Sequence, residues 1–120
     1  MTRTQLKTRT KRFALDVIRF CEATRGGDGV RTCRRQLVRS GTSVGASYRA
    51  ACRARSRREF VAKLGVVEEE ADESMYWLEL LAECDADRID RSDAQRLHRE
   101  ANELLSIVVA TIRTTKANGL

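Results

Sequence analysis

The fold is decided by residues 36–60, which read QLVRSGTSVGASYRAACRARSRREF. Its first part continues a pattern that starts at Val30, in which apolar or small residues recur every three or four positions as on one face of a helix. Its last part contains Ser56 and Glu59, whose spacing is that of a capping box, so a new helix is expected to begin near Arg57. The stretch therefore predicts two helices joined by a short turn.

Similar periodicity extends over most of the chain. The predicted helices cover residues 11–24, 30–53, 57–84 and 93–116, and residues 1–9 are a basic tail or an extension of the first helix. The 120 residues contain no proline, and the connections between the helices are short. These features predict an all-α protein, an antiparallel up-down-up-down four-helix bundle over residues 10–117.

Polar residues next to the apolar patterns predict where two of the helices begin. Asp28, in the glycine-rich segment after the first helix, is expected to accept hydrogen bonds from the amides that open the second. Ser92 and Gln95 are spaced as a second capping box, so the last helix is expected to begin near Asp93.

The middle of the second helix is unusually small. Gly41 and Gly45 stand there among serines, a threonine and an alanine, although each glycine costs a helix about 1 kcal/mol relative to alanine. Close approach of a neighbouring helix would compensate for this cost, and a kink is the alternative. A phosphate-binding loop is disfavoured, because the segment lacks the GxxxxGK[ST] pattern.

Positive charge is concentrated in the first half of the chain. Residues 1–63 contain 17 Lys and Arg against 4 Asp and Glu, whereas residues 64–120 contain 6 against 13. An antiparallel bundle would gather most of the excess at one end, where the first and third helices start and the second and fourth end. Such a surface indicates a polyanionic partner, with a subunit contact or a merely solvated surface as alternatives. Arg35 and Arg39 are instead expected to pair with acidic residues of the third helix.

Other features exclude several classes of protein. No apolar run is long enough for a membrane span and no signal-peptide core is present, so a cytoplasmic protein is expected. The four cysteines form no CxxC pair and are interpreted as reduced thiols of the core rather than as disulfides or zinc ligands. His98 is the only histidine and is interpreted as a surface or half-buried helix residue. The sequence thus predicts no catalytic residue, metal site or cofactor.

Two helices have more apolar surface than one buried stripe requires. The excess favours a homo-oligomer, with an interface that includes Trp77, Leu80, Leu105, Val109 and Ile112. The alternative is a tightly packed single bundle in which Trp77 covers a loop.

Residues 36–56, followed by RREFVAKLG at 57–65, EEEADE at 68–73 and YWLELL at 76–81, resemble a bacterial four-helix-bundle family. The family is named for proteins encoded in intervening sequences of 23S rRNA genes. It is also similar to the accessory variability determinant of diversity-generating retroelements, a basic pentamer that binds nucleic acid and a reverse transcriptase. The resemblance implies that the bundle assembles into a ring, commonly a pentamer. The family has no generally established enzymatic activity.

The leading hypothesis is a non-enzymatic oligomer that binds RNA or DNA through its basic end without sequence preference. The residues predicted to contact phosphate are Arg12, Arg49, Arg53, Arg55, Arg57, Arg58, Lys63 and Arg113. The alternative is a scaffold or accessory subunit that docks a protein such as a reverse transcriptase without touching nucleic acid.

Overall fold

A computed structural model describes residues 1–120 and contains four helices. They are α1 (Arg3–Ala23), α2 (Asp28–Cys52), α3 (Arg57–Glu83) and α4 (Arg91–Ala117). Each helix packs against the next, and α1 and α4 meet less closely to complete the bundle, which measures 50 × 21 × 19 Å. The predicted all-α, up-down-up-down architecture is confirmed.

The first helix begins at Arg3, eight residues earlier than the apolar pattern indicates. Thr2 and Gln5 form a capping box: the Gln5 amide donates to Thr2 Oγ1 at 3.1 Å, and the Thr2 amide donates to Gln5 Oε1 at 2.8 Å. Leu6 and Thr10 are buried beneath the added turns. Residues 3–9 are therefore part of α1, and the helix fixes the positions of the cations that they carry.

Of the N-terminal caps predicted for α2, α3 and α4, the cap of α3 is correct and the other two are wrong. Ser56 accepts from the Glu59 amide at 3.0 Å as predicted, although the Glu59 carboxylate reaches back to the amide of Arg55 instead of Ser56. Asp90, not Ser92, caps α4 by accepting from the Asp93 amide at 3.0 Å. A carboxylate at this position also interacts favourably with the positive end of the helix dipole, which favours aspartate over the downstream serine.

The start of α2 also differs from the prediction. Asp28 is the first residue of the helix, and Gly27 occupies the capping position without a side-chain hydrogen bond. Asp28 therefore acts through its charge in the first turn and through its contact with Arg31 rather than as a cap.

One continuous apolar core runs along the bundle and receives residues from all four helices. Phe13, Leu37, Leu78 and Leu104 are among its largest fully buried side chains, one from each helix. Its buried hydroxyls are satisfied, since Ser74 and Ser40 hydrogen-bond across α2 and α3 at 2.9 Å. The core also holds Cys21, whose burial raises the pKa of its thiol to about 12, and all four cysteines are free.

The glycines of α2 permit close approach of α1, which was the first of the predicted explanations. A Cβ added at Gly41 would lie 2.9 Å from a γ-carbon of Val17, and one added at Gly45 would lie 3.3 Å from the carbonyl oxygen of Thr10. In contrast, a Cβ added at Gly65 in α3 would meet nothing within 4 Å. The close contact of α1 and α2 can therefore be tested by replacing glycine with alanine at the crowded position, Gly41, and at the open position, Gly65.

We expect Gly41→Ala to lower the free energy of unfolding by about 1–2 kcal/mol, because overpacking against the stiff Val17 side chain outweighs the gain in helix propensity. Gly65→Ala should raise it by about 1 kcal/mol, since only the propensity term applies there. Urea unfolding of both variants checks the prediction. Stabilisation by Gly41→Ala equal to that by Gly65→Ala would contradict the close helix contact.

Candidate nucleic-acid interface

Three contacts bring the starts of α1 and α3 to the ends of α2 and α4. The guanidinium of Arg3 donates to the carbonyl oxygen of Cys52 at 3.4 Å and lies 4.8 Å above the ring of Phe60. Arg57 donates to the carbonyl oxygens of Asn118 and Gly119. We call this end the basic pole, and its cations are Arg3, Arg53, Arg55, Arg57, Arg58, Lys63, Arg113 and Lys116.

Most of the predicted phosphate-contacting residues are free at this end. Arg53, Arg55, Arg58 and Arg113 are exposed, and their guanidinium groups form no ion pair or hydrogen bond within the chain. Arg49 lies one helical turn before Arg53 and is likewise exposed and unpaired. Glu59 is the only acidic residue in the segment from Arg53 to Lys63. These guanidinium groups can therefore receive an external anion without breaking an existing interaction.

Two predicted residues of the pole are partly engaged. Lys63 is half-buried, and its Nζ lies 4.0 Å from Glu59 Oε1. Arg57 satisfies backbone carbonyls that follow α4, with 3.2 Å to the Gly119 oxygen. A cation at a helix C-terminus interacts favourably with the dipole, so Arg57 has a structural role beside any binding role.

Arg12 is the predicted residue that the fold separates from the others. It lies nine residues beyond Arg3, about 13 Å along α1, in a groove between α1 and α4 that Glu100 and Glu103 also line. Arg12 therefore lies beyond the first turns of α1 that the pole includes, and its contact with phosphate stays a prediction.

Arg9 lies on the same side of α1 and is neutralised by acidic residues of α4. Its guanidinium forms a two-point contact with Glu100, with both N–O distances at 2.7 Å, and contacts Glu103 at 2.9 Å. The hydrogen bond with Glu100 raises the pKa of Arg9. Further along the two helices, Arg96 of α4 contacts Asp16 of α1 at 3.3 Å. Contacts with α4 thus neutralise Arg9 and Asp16 of α1, whereas Lys7 and Lys11, which line a groove with α2, form no ion pair.

The expected ion pairs between α2 and α3 are correct for one arginine and wrong for the other. Arg39 contacts Glu70 at 3.1 Å and Glu73 at 2.5 Å, and the hydrogen bond with Glu73 raises its pKa. Arg35 instead donates to the hydroxyl of Thr32 on its own helix. His98 is half-buried as expected, and its Nε2 lies 2.8 Å from a Glu79 oxygen.

The residues predicted for an oligomer interface are all half-buried within the protomer. Trp77, Leu105 and Ile112 pack against its core, which accounts for much of the second apolar stripe. The apolar side chains that α3 exposes are instead Tyr76 and Val66, 53% and 44% exposed. Neither belongs to the buried stripe of α3, so helical periodicity places both outside the core.

No helix of the structure is both long enough and apolar enough to cross a membrane.

Comparison with known proteins relates the chain to a protein family and to a solved structure. Residues 3–110 match the family model of the 23S rRNA-intervening sequence protein. A crystal structure of a protein of unknown function from the S23 ribosomal protein family of Bacteroides thetaiotaomicron superposes with a TM-score of 0.79 at 29% identity, covering 94% of this chain and 99% of that one. Neither likeness points to an enzymatic family. Curated proteins provide no match.

Proposed function

Since the chain belongs to the 23S rRNA-intervening sequence protein family, whose function is unknown, we propose from its surface chemistry that it binds nucleic acid. The protein is non-enzymatic and cytoplasmic, and its basic pole contacts the phosphate backbone of RNA or DNA. The observation that carries the proposal is the group of exposed guanidinium groups at Arg53, Arg55, Arg58 and Arg113 that have no partner within the chain.

Unpartnered cations on one end of a small protein repel one another and favour a polyanion. An exposed ion pair stabilises a protein by about 0–1 kcal/mol, and these guanidinium groups form none within the chain. Folding alone therefore gives little reason to hold them together. The acidic side chain of the same end is Glu59, whose carboxylate already accepts from the Arg55 amide at 3.0 Å. The pole therefore offers positive charge that internal acids do not compensate.

The mode of binding follows from the side chains available. Phe60 is the aromatic residue of the pole, and its ring lies beneath Arg3, so no open platform is present on which bases would stack. Arginine contacts to phosphate position a strand without reading its sequence. Binding should accordingly depend on charge and length, not on base identity.

The test is the affinity of the full chain for fluorescent single-stranded RNA of mixed sequence, measured by anisotropy between 50 and 300 mM salt. For single strands each phosphate contact adds about 0.7 to the slope of log affinity against log salt, so four contacts give a slope near −3. A scrambled oligonucleotide of equal length should give the same affinity. Absence of binding at 50 mM salt would contradict the proposal.

A protein partner or a second copy of the chain is the other candidate function. It is supported by Tyr76 and Val66 on α3, which lie exposed on a helix that also carries many carboxylates. Light scattering tests for the pentamer suggested by the family resemblance. Capture of a reverse transcriptase from nuclease-treated lysate would favour the accessory role without nucleic acid.

A further inference from the structure

A groove lies between α1 and α2 beside the basic pole. It has a volume of about 520 Å³, and its cationic walls are Lys7 and Lys11 from α1 and Arg49 from α2. Lys7 and Lys11 are one helical turn apart and share a face, while Arg49 approaches from the opposite helix. Gly45 and Ala46 form the small side of the groove, and a Cβ added at Gly45 would lie 3.3 Å from the carbonyl oxygen of Thr10.

The three cations of this groove have no internal counter-ion. Lys7, Lys11 and Arg49 are exposed, appear in no ion pair, and share the groove with no carboxylate. The hydroxyl of Thr42 already donates to the carbonyl oxygen of Val38 at 2.6 Å, so donors for a ligand come from the cations. The groove is thus suited to an anion that is recognised by charge.

The same two helices form a second groove at the far end, which provides an internal comparison. Arg31, Arg34 and Arg35 line it, but Glu22 lines it as well. Arg31 pairs with Asp28, and Arg34 donates to the carbonyl oxygen of Cys21 at 2.8 Å. Cations of the far groove are therefore partly used by the fold, whereas those of the near groove are free.

We propose that the groove of Lys7, Lys11 and Arg49 holds backbone phosphates of a bound single-stranded nucleic acid and leads the strand from the basic pole along α1 and α2. This inference rests on the proposed function and extends it to Lys7 and Lys11. Arg49 lies one turn from Arg53 of the pole, so the two cationic surfaces are continuous along α2.

Phosphate fits this groove better than an acidic peptide does. The hydrophobic residues that line it are Ala14 and Ala46, so a protein partner would find no large apolar side chain against which to pack an anchoring residue. Lysine ammonium groups bind phosphate as point charges without requiring a planar two-point contact. A chain of phosphates can use the groove with its bases directed outward.

The test compares a groove variant, K7A/K11A/R49A, with a control variant, R19A/R31A/R35A, which removes three exposed arginines from the same two helices toward the far end. The groove variant should bind single-stranded RNA about 50-fold more weakly at 0.15 M salt, with a salt slope smaller by about 2. The control should lose less than fivefold. Circular dichroism checks that both variants fold.

Changes in amide chemical shifts on addition of tripolyphosphate provide a second readout that needs no nucleic acid. Shifts centred on residues 7–11 and 45–49 of the wild-type chain are expected, and their absence would overturn the inference. RNA binding that survives in the groove variant but fails in a variant of the pole would refute the groove and keep the proposed function. Shifts with tripolyphosphate but no binding of RNA by the wild-type chain would overturn both assignments to nucleic acid.

Discussion

Replacing Arg53, Arg55 and Arg58 together with alanine is expected to weaken binding of single-stranded RNA about 50-fold at 0.15 M salt. All three side chains are exposed and unpartnered, so their loss removes contacts to phosphate without breaking any contact of the fold. The slope of log affinity against log salt should become less steep by about 2, because each contact contributes about 0.7. The free energy of unfolding should change by less than about 0.5 kcal/mol.

Anisotropy at several salt concentrations measures both the affinity and the slope. The R19A/R31A/R35A variant is the matched control, since it removes the same charge from cations that lie away from the pole, two of which pair with Asp16 and Asp28. An equal loss in both variants would mean that net charge, rather than the basic pole, determines binding.

Phe13→Ala is expected to lower the free energy of unfolding by about 3–5 kcal/mol, the largest effect of a single substitution on stability. The Phe13 side chain is 1% exposed and belongs to the core cluster, so truncation leaves a cavity beneath α1. The helix α1 packs mainly against α2 and less closely against α4. Few other contacts therefore hold α1 in place when the Phe13 side chain is truncated. Urea unfolding followed by circular dichroism measures the loss.

Leu15→Ala is the control on the same helix. Leu15 is 40% exposed and is not part of the core, so its truncation should change the stability by less than about 0.5 kcal/mol. A loss of several kcal/mol in this variant would mean that the outer face of α1 is covered by another subunit, which would support the oligomer inferred from the sequence.

The fold could be predicted from the sequence because its signals are local. Apolar residues three or four apart identify the buried stripes, and the small stretch around Gly41 correctly indicated close approach of another helix. Helix starts were predicted less well, since a serine and a nearby aspartate compete for the same capping role. At α4 Asp90 takes the role expected of Ser92, and at α1 the Thr2–Gln5 box precedes the apolar pattern, so periodicity does not reveal it.

The charge surface was harder to predict because ion pairs connect residues that are distant in sequence. Arg9 meets Glu100 across 91 positions, and only the rotation of α1 and α4 about their axes places the two together. The same rotation turns Lys7 and Lys11 toward α2, where they face Arg49. Helical periodicity gives the face of each residue, but the interhelical groove appears only once the helices are packed.

Photo-crosslinking tests the central claim most directly, because it locates bound RNA on the unmodified protein. Single-stranded RNA containing 4-thiouridine would be crosslinked to the full chain, and the modified peptides would be identified by mass spectrometry. The account predicts crosslinks within residues 3–11, 49–63 and 113–117, lost at 0.5 M salt. Crosslinks confined to the opposite end, residues 24–31 and 84–93, would contradict it.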